Sequence, residues 1–151
     1  MPLSNRTYLL ASGSVMLAGA LLHIAIIFGG PSWYEFVGAP AGLVAMASTD
    51  SLRPAISCLV IAALLVACSA YAYSGAGLIR KLPGLRVVSA LIGTGLIVRG
   101  VTFVPVAALR PHLLSGLCGK CQGVNAFVLV TSALCLVIGV GYAVGAVRAR
   151  A

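Results

Sequence analysis

The sequence predicts an all-α integral membrane protein: a four-transmembrane-helix bundle whose first outer loop is interfacial or re-entrant. Of its 151 residues, 61% are apolar, while 10 are Lys or Arg and 2 are Asp or Glu. The mean hydropathy is +1.12. A water-soluble domain carries roughly 25% charged residues and cannot bury so much apolar surface at this length. Because the cations are spread among long apolar runs, the net charge of +8 indicates membrane topology and no nucleic-acid partner.

Four apolar stretches define the spans, since a bilayer core about 30 Å thick needs roughly 20 helical residues. They cover approximately residues 8–28, 54–76, 87–109 and 126–147 of a single membrane domain, 1–151. Backbone groups in lipid must be satisfied internally, and the alternating pattern of a barrel is absent, so these stretches are helices. The first is longer than a signal-peptide core and three more follow, so we expect it to be retained.

Lys and Arg in the loops predict the orientation, because short cytoplasmic loops are enriched in them. One side holds six cations: Arg6, Arg80, Lys81, Arg86, Arg148 and Arg150. The other side holds three: Arg53, Arg110 and Lys120. We therefore expect both termini in the cytoplasm of a bacterial inner membrane, with loops 29–53 and 110–125 facing outward. The basic middle loop, 78–86, is predicted to be a tight hairpin.

The first outer loop contains an apolar segment, residues 37–48, that is too short to span. It follows Trp33 and Tyr34, which suit the membrane–water interface. In the last span, Gly141 and Gly145 have the small-residue spacing that lets helices approach closely. This spacing predicts packing within the bundle, with homodimerisation through small-residue faces as the alternative.

Three ionisable residues are not explained by topology. Arg99 lies inside the third span, where an arginine costs about 2.5–3.5 kcal/mol on insertion scales. His23 lies in the first span, and Glu35 follows it closely. We predict that these three, together with Tyr34, form an outer-half polar site for an apolar or amphipathic ligand such as a lipid or quinone. In the alternative, Arg99 snorkels or caps a carbonyl, His23 bonds a neighbouring helix, and Glu35 is solvated.

The cysteines divide into two groups. Cys58, Cys68 and Cys135 lie inside spans and are expected to be inert. Cys118 and Cys121 form a Cys-x-x-Cys in the second outer loop, where an oxidising compartment permits a disulfide. The pair predicts a structural disulfide that pins the loop, or a redox-active pair. Metal binding is not predicted, because His112 is the only other soft ligand nearby and four ligands are normal.

Four helices with a Cys-x-x-Cys opening the last one resemble the membrane thiol oxidoreductases, which include vitamin K epoxide reductase and disulfide bond formation protein B. That resemblance implies thiol–disulfide exchange at Cys118 and Cys121 with a quinone as cofactor. Those families relay electrons through a second cysteine pair in the other outer loop. Loop 29–53 contains no cysteine, so a relay would have to recruit another thiol, such as Cys58.

His23, Gly29-Gly30-Pro31, the segment Trp33–Ala39 and Arg99-Gly100 are similar to small bacterial inner-membrane proteins of uncharacterised function, and this resemblance implies no activity. Nucleotide-binding loops, metalloprotease motifs and nucleophile elbows are absent from the sequence. Three functions therefore stay open: a ligand-binding membrane protein, a thiol oxidoreductase, and a structural subunit that packs against partner helices. The sequence does not decide whether the protein is an enzyme.

Overall fold

The computed structural model describes residues 5–49 and 51–148, so Asp50 and Arg150 lie outside the described residues. This part of the chain forms six α-helices and one short 3-10 turn, Pro111–Leu113. The helices are α1 (Asn5–Gly29), α2 (Pro31–Phe36), α3 (Ala41–Ala47), α4 (Arg53–Gly75), α5 (Leu85–Leu109) and α6 (Ala126–Arg148). Helices α1, α4, α5 and α6 are each long and apolar enough to cross a membrane, which confirms the predicted four-helix architecture.

Local sequence explains where the helices begin and end. After α1, Gly30 adopts a φ of 70° and Pro31 then occupies the first turn of α2, where its missing N–H costs nothing. Gly84, with a φ of 64°, precedes α5 and closes the predicted tight hairpin. The side chain of Asn125 accepts a hydrogen bond of 3.0 Å from the backbone N–H of Val128, and so caps the start of α6.

The long helices pack mainly as two antiparallel pairs. Helix α1 packs along α4, and α5 packs along α6, while α1 and α6 join the two pairs. Helices α4 and α5 touch much less, and the backbones of α1 and α5 do not come close to each other within the described residues. The connection 110–125, which contains a disulfide between Cys118 and Cys121, and the short helices α2 and α3 lie at one end of the bundle, hereafter the disulfide end. The turn between α4 and α5 lies at the opposite end, hereafter the turn end.

Glycines permit the close approach of α5 and α6. A Cβ added to Gly93 would lie 2.9 Å from both the backbone nitrogen of Ala143 and the carbonyl oxygen of Gly139. Gly141 and Gly145 contact α1 instead, through Ser12 and Leu9 respectively. The Gly141-x-x-x-Gly145 spacing therefore serves helix packing within this chain, as the first of the two alternatives predicts.

Buried polar side chains tie the helices together. The Ser69 hydroxyl donates a 2.9 Å hydrogen bond from α4 to the Gly13 carbonyl of α1. The Tyr142 hydroxyl donates a 2.6 Å bond from α6 to the Cys68 carbonyl of α4. At the turn end, the hydroxyl of Ser74 donates to the Arg80 carbonyl and accepts from the Leu82 N–H. The bonds of Ser69 and Tyr142 join neighbouring helices within the spans, where no water is present to take their place.

The outer surface of the bundle is apolar. Leu64, Leu91 and Val137, on three different helices, are each more than 60% exposed. Contiguous exposed apolar surface of this extent is unfavourable in water and suits contact with acyl chains. The chain is therefore best described as a multi-pass membrane protein.

Candidate functional site

The two loop regions at the disulfide end pack directly on each other. The backbone N–H of Gly119 donates a 3.0 Å hydrogen bond to the carbonyl oxygen of Gly38. A Cβ at position 119 would come within 2.5 Å of the Ala39 carbonyl oxygen, so only glycine permits this approach. Gly38 itself has a φ of 81°, a conformation that other residues rarely adopt. Both glycines are thus required where the loops meet.

A disulfide joins Cys118 and Cys121, which is the oxidised state that both the structural and the redox alternatives require. Its two residues are 8% and 1% exposed and belong to a cluster with Leu114 and Val128. The disulfide is therefore part of the apolar core beneath the loop. Asn125 adds a second tie, because its side-chain N–H donates a 2.7 Å bond to the Lys120 carbonyl while its oxygen caps α6.

A groove of about 430 Å³ lies between helix α3 and the loop of residues 118–121, which the disulfide closes and which is hereafter the disulfide loop. Its lining includes two side chains of opposite charge, the exposed carboxylate of Glu35 and the ammonium of Lys120. The remaining lining is small: Ala39, Ala41, Val44, Ala45, Ser48 and Gly119. The Lys120 ammonium donates a 2.7 Å bond to the Phe36 carbonyl and lies 5.3 Å from the centroid of the Phe36 ring. These contacts hold a cation at the groove and leave two of its three N–H donors for a ligand.

Tyr34 does not line this groove. It is 4% exposed and packs with Ile26 and Cys58 beneath helix α2. Burial, with a smaller contribution from the Cys58 thiol, raises the pKa of Tyr34 to about 12. The phenol therefore stays neutral and helps to fix α2 on the bundle.

We expect this burial to make stability sensitive to alkaline pH. An unfolded tyrosine loses its proton near pH 10, whereas folded Tyr34 keeps it until about pH 12, so the free energy of unfolding decreases as the pH rises between these values. A Tyr34→Phe variant has no phenol to ionise at this position, so its free energy of unfolding should decrease less over the same pH range. Thermal unfolding in detergent between pH 9 and 12 measures the difference. Tyr8→Phe is the control because Tyr8 is 45% exposed, and parallel curves for wild type and Tyr34→Phe would contradict the assignment.

The structure does not assemble the predicted constellation of Arg99, His23 and Glu35. The His23 ring bonds the Gly19 carbonyl of its own helix at 2.8 Å. Arg99 turns toward α6, where a guanidinium N–H lies 3.6 Å from the Cys135 sulfur. Within residues 5–49 and 51–148, no hydrogen bond or ion pair joins any two of the three. The physical reason is the helix arrangement, because the backbone of α5 packs closely on α6 and does not approach that of α1.

The structure also bears on the redox and metal alternatives. Cys58, the thiol that a relay would have to recruit, lies in the cluster of Ile26 and Tyr34 and not in the cluster around the disulfide. Cys58, Cys68 and Cys135 are free thiols. Among the described side chains, no three His, Cys, Asp or Glu groups come close enough to hold a metal ion.

Lys120 lines the groove, although the sequence marks it only as a cation of the outer loop that stands beside the two cysteines. The sequence feature that could have identified Lys120 is its position between Cys118 and Cys121. A residue inside such a short disulfide ring can direct its side chain in only a few ways. The carbonyl that Lys120 contacts belongs to Phe36, which is 84 positions away, so no local sequence pattern indicates this contact.

The fold and the groove together define a four-helix, multi-pass membrane protein with a polar groove beside a disulfide-closed loop. No family model, curated protein or solved structure matches the chain.

Proposed function

We propose that this protein binds an amphipathic, lipid-like ligand in the groove between α3 and the disulfide loop. The observation that carries this proposal is the placement of a carboxylate, Glu35, and an ammonium, Lys120, in one groove whose remaining lining is mostly small and apolar. Ligand sites usually combine apolar walls with a few placed polar groups, in volumes of roughly 300–1,000 Å³. The groove's size supports a bound headgroup with the start of its tail.

The charges in the groove favour a zwitterionic headgroup. A ligand ammonium would pair with Glu35, and a ligand phosphate would pair with Lys120, through charge-assisted hydrogen bonds. The apolar contacts from Val44 and Ala45 would cover the glycerol region or the first methylenes of a tail. Phosphatidylethanolamine and its lyso form have this combination of groups.

We further propose that the disulfide end faces outward from a bacterial inner membrane and that both termini are cytoplasmic. Two independent features support this orientation. The tight turn between α4 and α5 carries Arg80 and Lys81, as cytoplasmic loops usually do. The Cys118–Cys121 disulfide lies at the opposite end and would persist in an oxidising compartment.

Blocking the groove without changing its charges tests the binding proposal. Ala45→Phe should fill the space beside Val44 and reduce photo-labelling by a diazirine-bearing lysophosphatidylethanolamine by about tenfold or more. The measurement is the labelled fraction of protein in phosphatidylcholine nanodiscs, read by mass spectrometry. Met46→Phe is the matched control, because Met46 is exposed on the same helix but does not line the groove.

The charges are tested separately. Glu35→Gln and Lys120→Met should each weaken labelling, while Lys81→Met, at the turn end, should leave it unchanged. Labelling of Ala45→Phe at the wild-type level would overturn the proposal. Loss of labelling in Ala45→Phe and Met46→Phe alike would also overturn it, because the effect would then not depend on the groove.

A further inference from the structure

A second polar location lies deep in the bundle, around Arg99. Arg99 is near the middle of the 25-residue helix α5, about 15 Å along the axis from its end at Leu109. The guanidinium carbon lies 4.1 Å from the centroid of the Phe103 ring, one turn nearer the disulfide end. The side chain is therefore directed along α5 and toward α6, and is half-buried there.

The protein supplies Arg99 with very little hydrogen bonding. A guanidinium has five N–H donors, and the acceptor found for them in the described residues is the thiol of Cys135, at 3.6 Å. Thiol sulfur is a weak acceptor. Glu35, the acidic residue among those the structure describes, lies in the groove and makes no ion pair with Arg99. A cation in hydrocarbon is costly unless something pairs with it, so the chain alone leaves Arg99 incompletely satisfied.

A second unsatisfied group lies in the same layer of the bundle. The hydroxyl of Ser132 is buried, with the residue 2% exposed, and has no hydrogen-bond partner in the described residues. Ser132 lies on α6 one turn from Cys135, and its carbonyl oxygen is 2.9 Å from where a Cβ of Gly100 would be. The α5–α6 interface thus carries one guanidinium whose acceptor is a weak thiol and one buried hydroxyl that has no partner in the described residues. A bound molecule with hydrogen-bond acceptors would satisfy both groups.

We infer that Arg99 forms an intramembrane binding site for an oxyanion carried on an apolar tail. The cation–π contact with Phe103 stabilises the positive charge of the guanidinium but supplies no oxygen acceptor, so the N–H donors stay available for a carboxylate or phosphate oxygen. The exposed apolar side chains Val98 and Val101 flank this position and offer contact to an acyl chain. The site is separate from the groove, whose lining residues come from α2, α3 and the loops at the disulfide end.

The oxyanion has two sources, a free fatty acid or an anionic phospholipid, and two probes distinguish them. Wild-type protein in phosphatidylcholine nanodiscs is exposed to a diazirine fatty acid or to diazirine phosphatidylglycerol, and labelled peptides of α5 and α6 are quantified. Arg99→Gln should reduce labelling by about tenfold or more, and Arg99→Lys should give an intermediate value, because lysine keeps the charge without the planar fork. Arg110→Gln, which removes an exposed cation at the end of α5, is the matched control.

The labelling results with the two probes distinguish the sources of the oxyanion. Labelling by one probe that Arg99→Gln abolishes identifies that source, and labelling by both identifies a shared oxyanion site. Equal labelling of wild type and Arg99→Gln, or no labelling of wild type by either probe, would overturn the inference. Ala45→Phe should leave this labelling unchanged, so a failure of the groove proposal and a failure of the Arg99 site are distinguishable. Gln suits the bilayer better than Arg, so loss of labelling with unchanged helicity by circular dichroism reports on binding.

Discussion

Replacing Gly93 by leucine is expected to separate α5 from α6 and to lower the free energy of unfolding by about 3 kcal/mol or more. The atoms that a new Cβ would meet, 2.9 Å away, belong to the backbone of Gly139 and Ala143. Backbone cannot move aside by changing rotamer, so the two helices must shift apart along their length. The contacts between α5 and α6 are the most extensive in the bundle, and many would be weakened together.

Gly95 provides the matched control for this experiment. It lies on the same helix, two residues away, and a Cβ added there meets no atom within 4 Å. Gly95→Leu should be neutral or slightly stabilising, because leucine favours helix over glycine by roughly 1 kcal/mol. Thermal unfolding in detergent, followed by circular dichroism, compares the two variants. If Gly93→Leu and Gly95→Leu unfold at the same temperature, the described α5–α6 contact is wrong.

The same two glycines show what the sequence could predict and what it could not. The length of each apolar run predicts the four spans, because a helix that crosses the bilayer must be apolar over the whole thickness of the hydrocarbon core. The sequence does not distinguish Gly93 from Gly95, since both lie in one apolar run with no polar face to mark the interior. In lipid, both the packed side and the exposed side of a helix are apolar, so hydrophobic periodicity does not show which side faces the bundle.

The polar residues illustrate the same limit for the site. Arg99, His23 and Glu35 were predicted to meet because their depths in the membrane are compatible. Depth gives only the position of each residue along the membrane normal. The rotation of each helix about its own axis, and the helices that lie beside it, determine which side chains meet. Because α5 packs on α6, Arg99 contacts Cys135 instead of His23. The groove that brings Glu35 near Lys120 depends on contacts between distant loops, such as that between Gly119 and Gly38.

Removing the disulfide should have the other large effect on stability. The Cys118→Ser, Cys121→Ser double variant opens a ring with a sequence separation of 3. The chain-entropy relation gives about 2 kcal/mol for so short a loop at 25 °C. Two hydroxyls would also replace two buried sulfurs in the apolar cluster around Leu114 and Val128, which adds a desolvation cost.

The consequence should extend to the groove. Gly119 and Lys120 lie inside the disulfide ring, and they make the loop's contacts with Gly38 and Phe36. Without the ring, these contacts must order a more flexible segment, so lysophosphatidylethanolamine labelling should decrease together with the melting temperature. Wild type that has been unfolded in reductant and refolded with its thiols blocked should melt near the double variant, while the same treatment should leave the double variant unchanged. A double variant that unfolds like wild type would contradict a structural role for the disulfide.

The double variant also separates the structural disulfide from thiol–disulfide catalysis. A catalytic pair must be attacked by an external thiolate, and the burial of Cys118 and Cys121 opposes that attack. Relay to Cys58 would have to cross from the cluster around the disulfide to the one around Tyr34. We therefore expect no turnover of a reduced dithiol with a soluble quinone by wild-type protein above the level of the double variant. Turnover that requires both cysteines would instead establish the oxidoreductase and make the buried ring its active site.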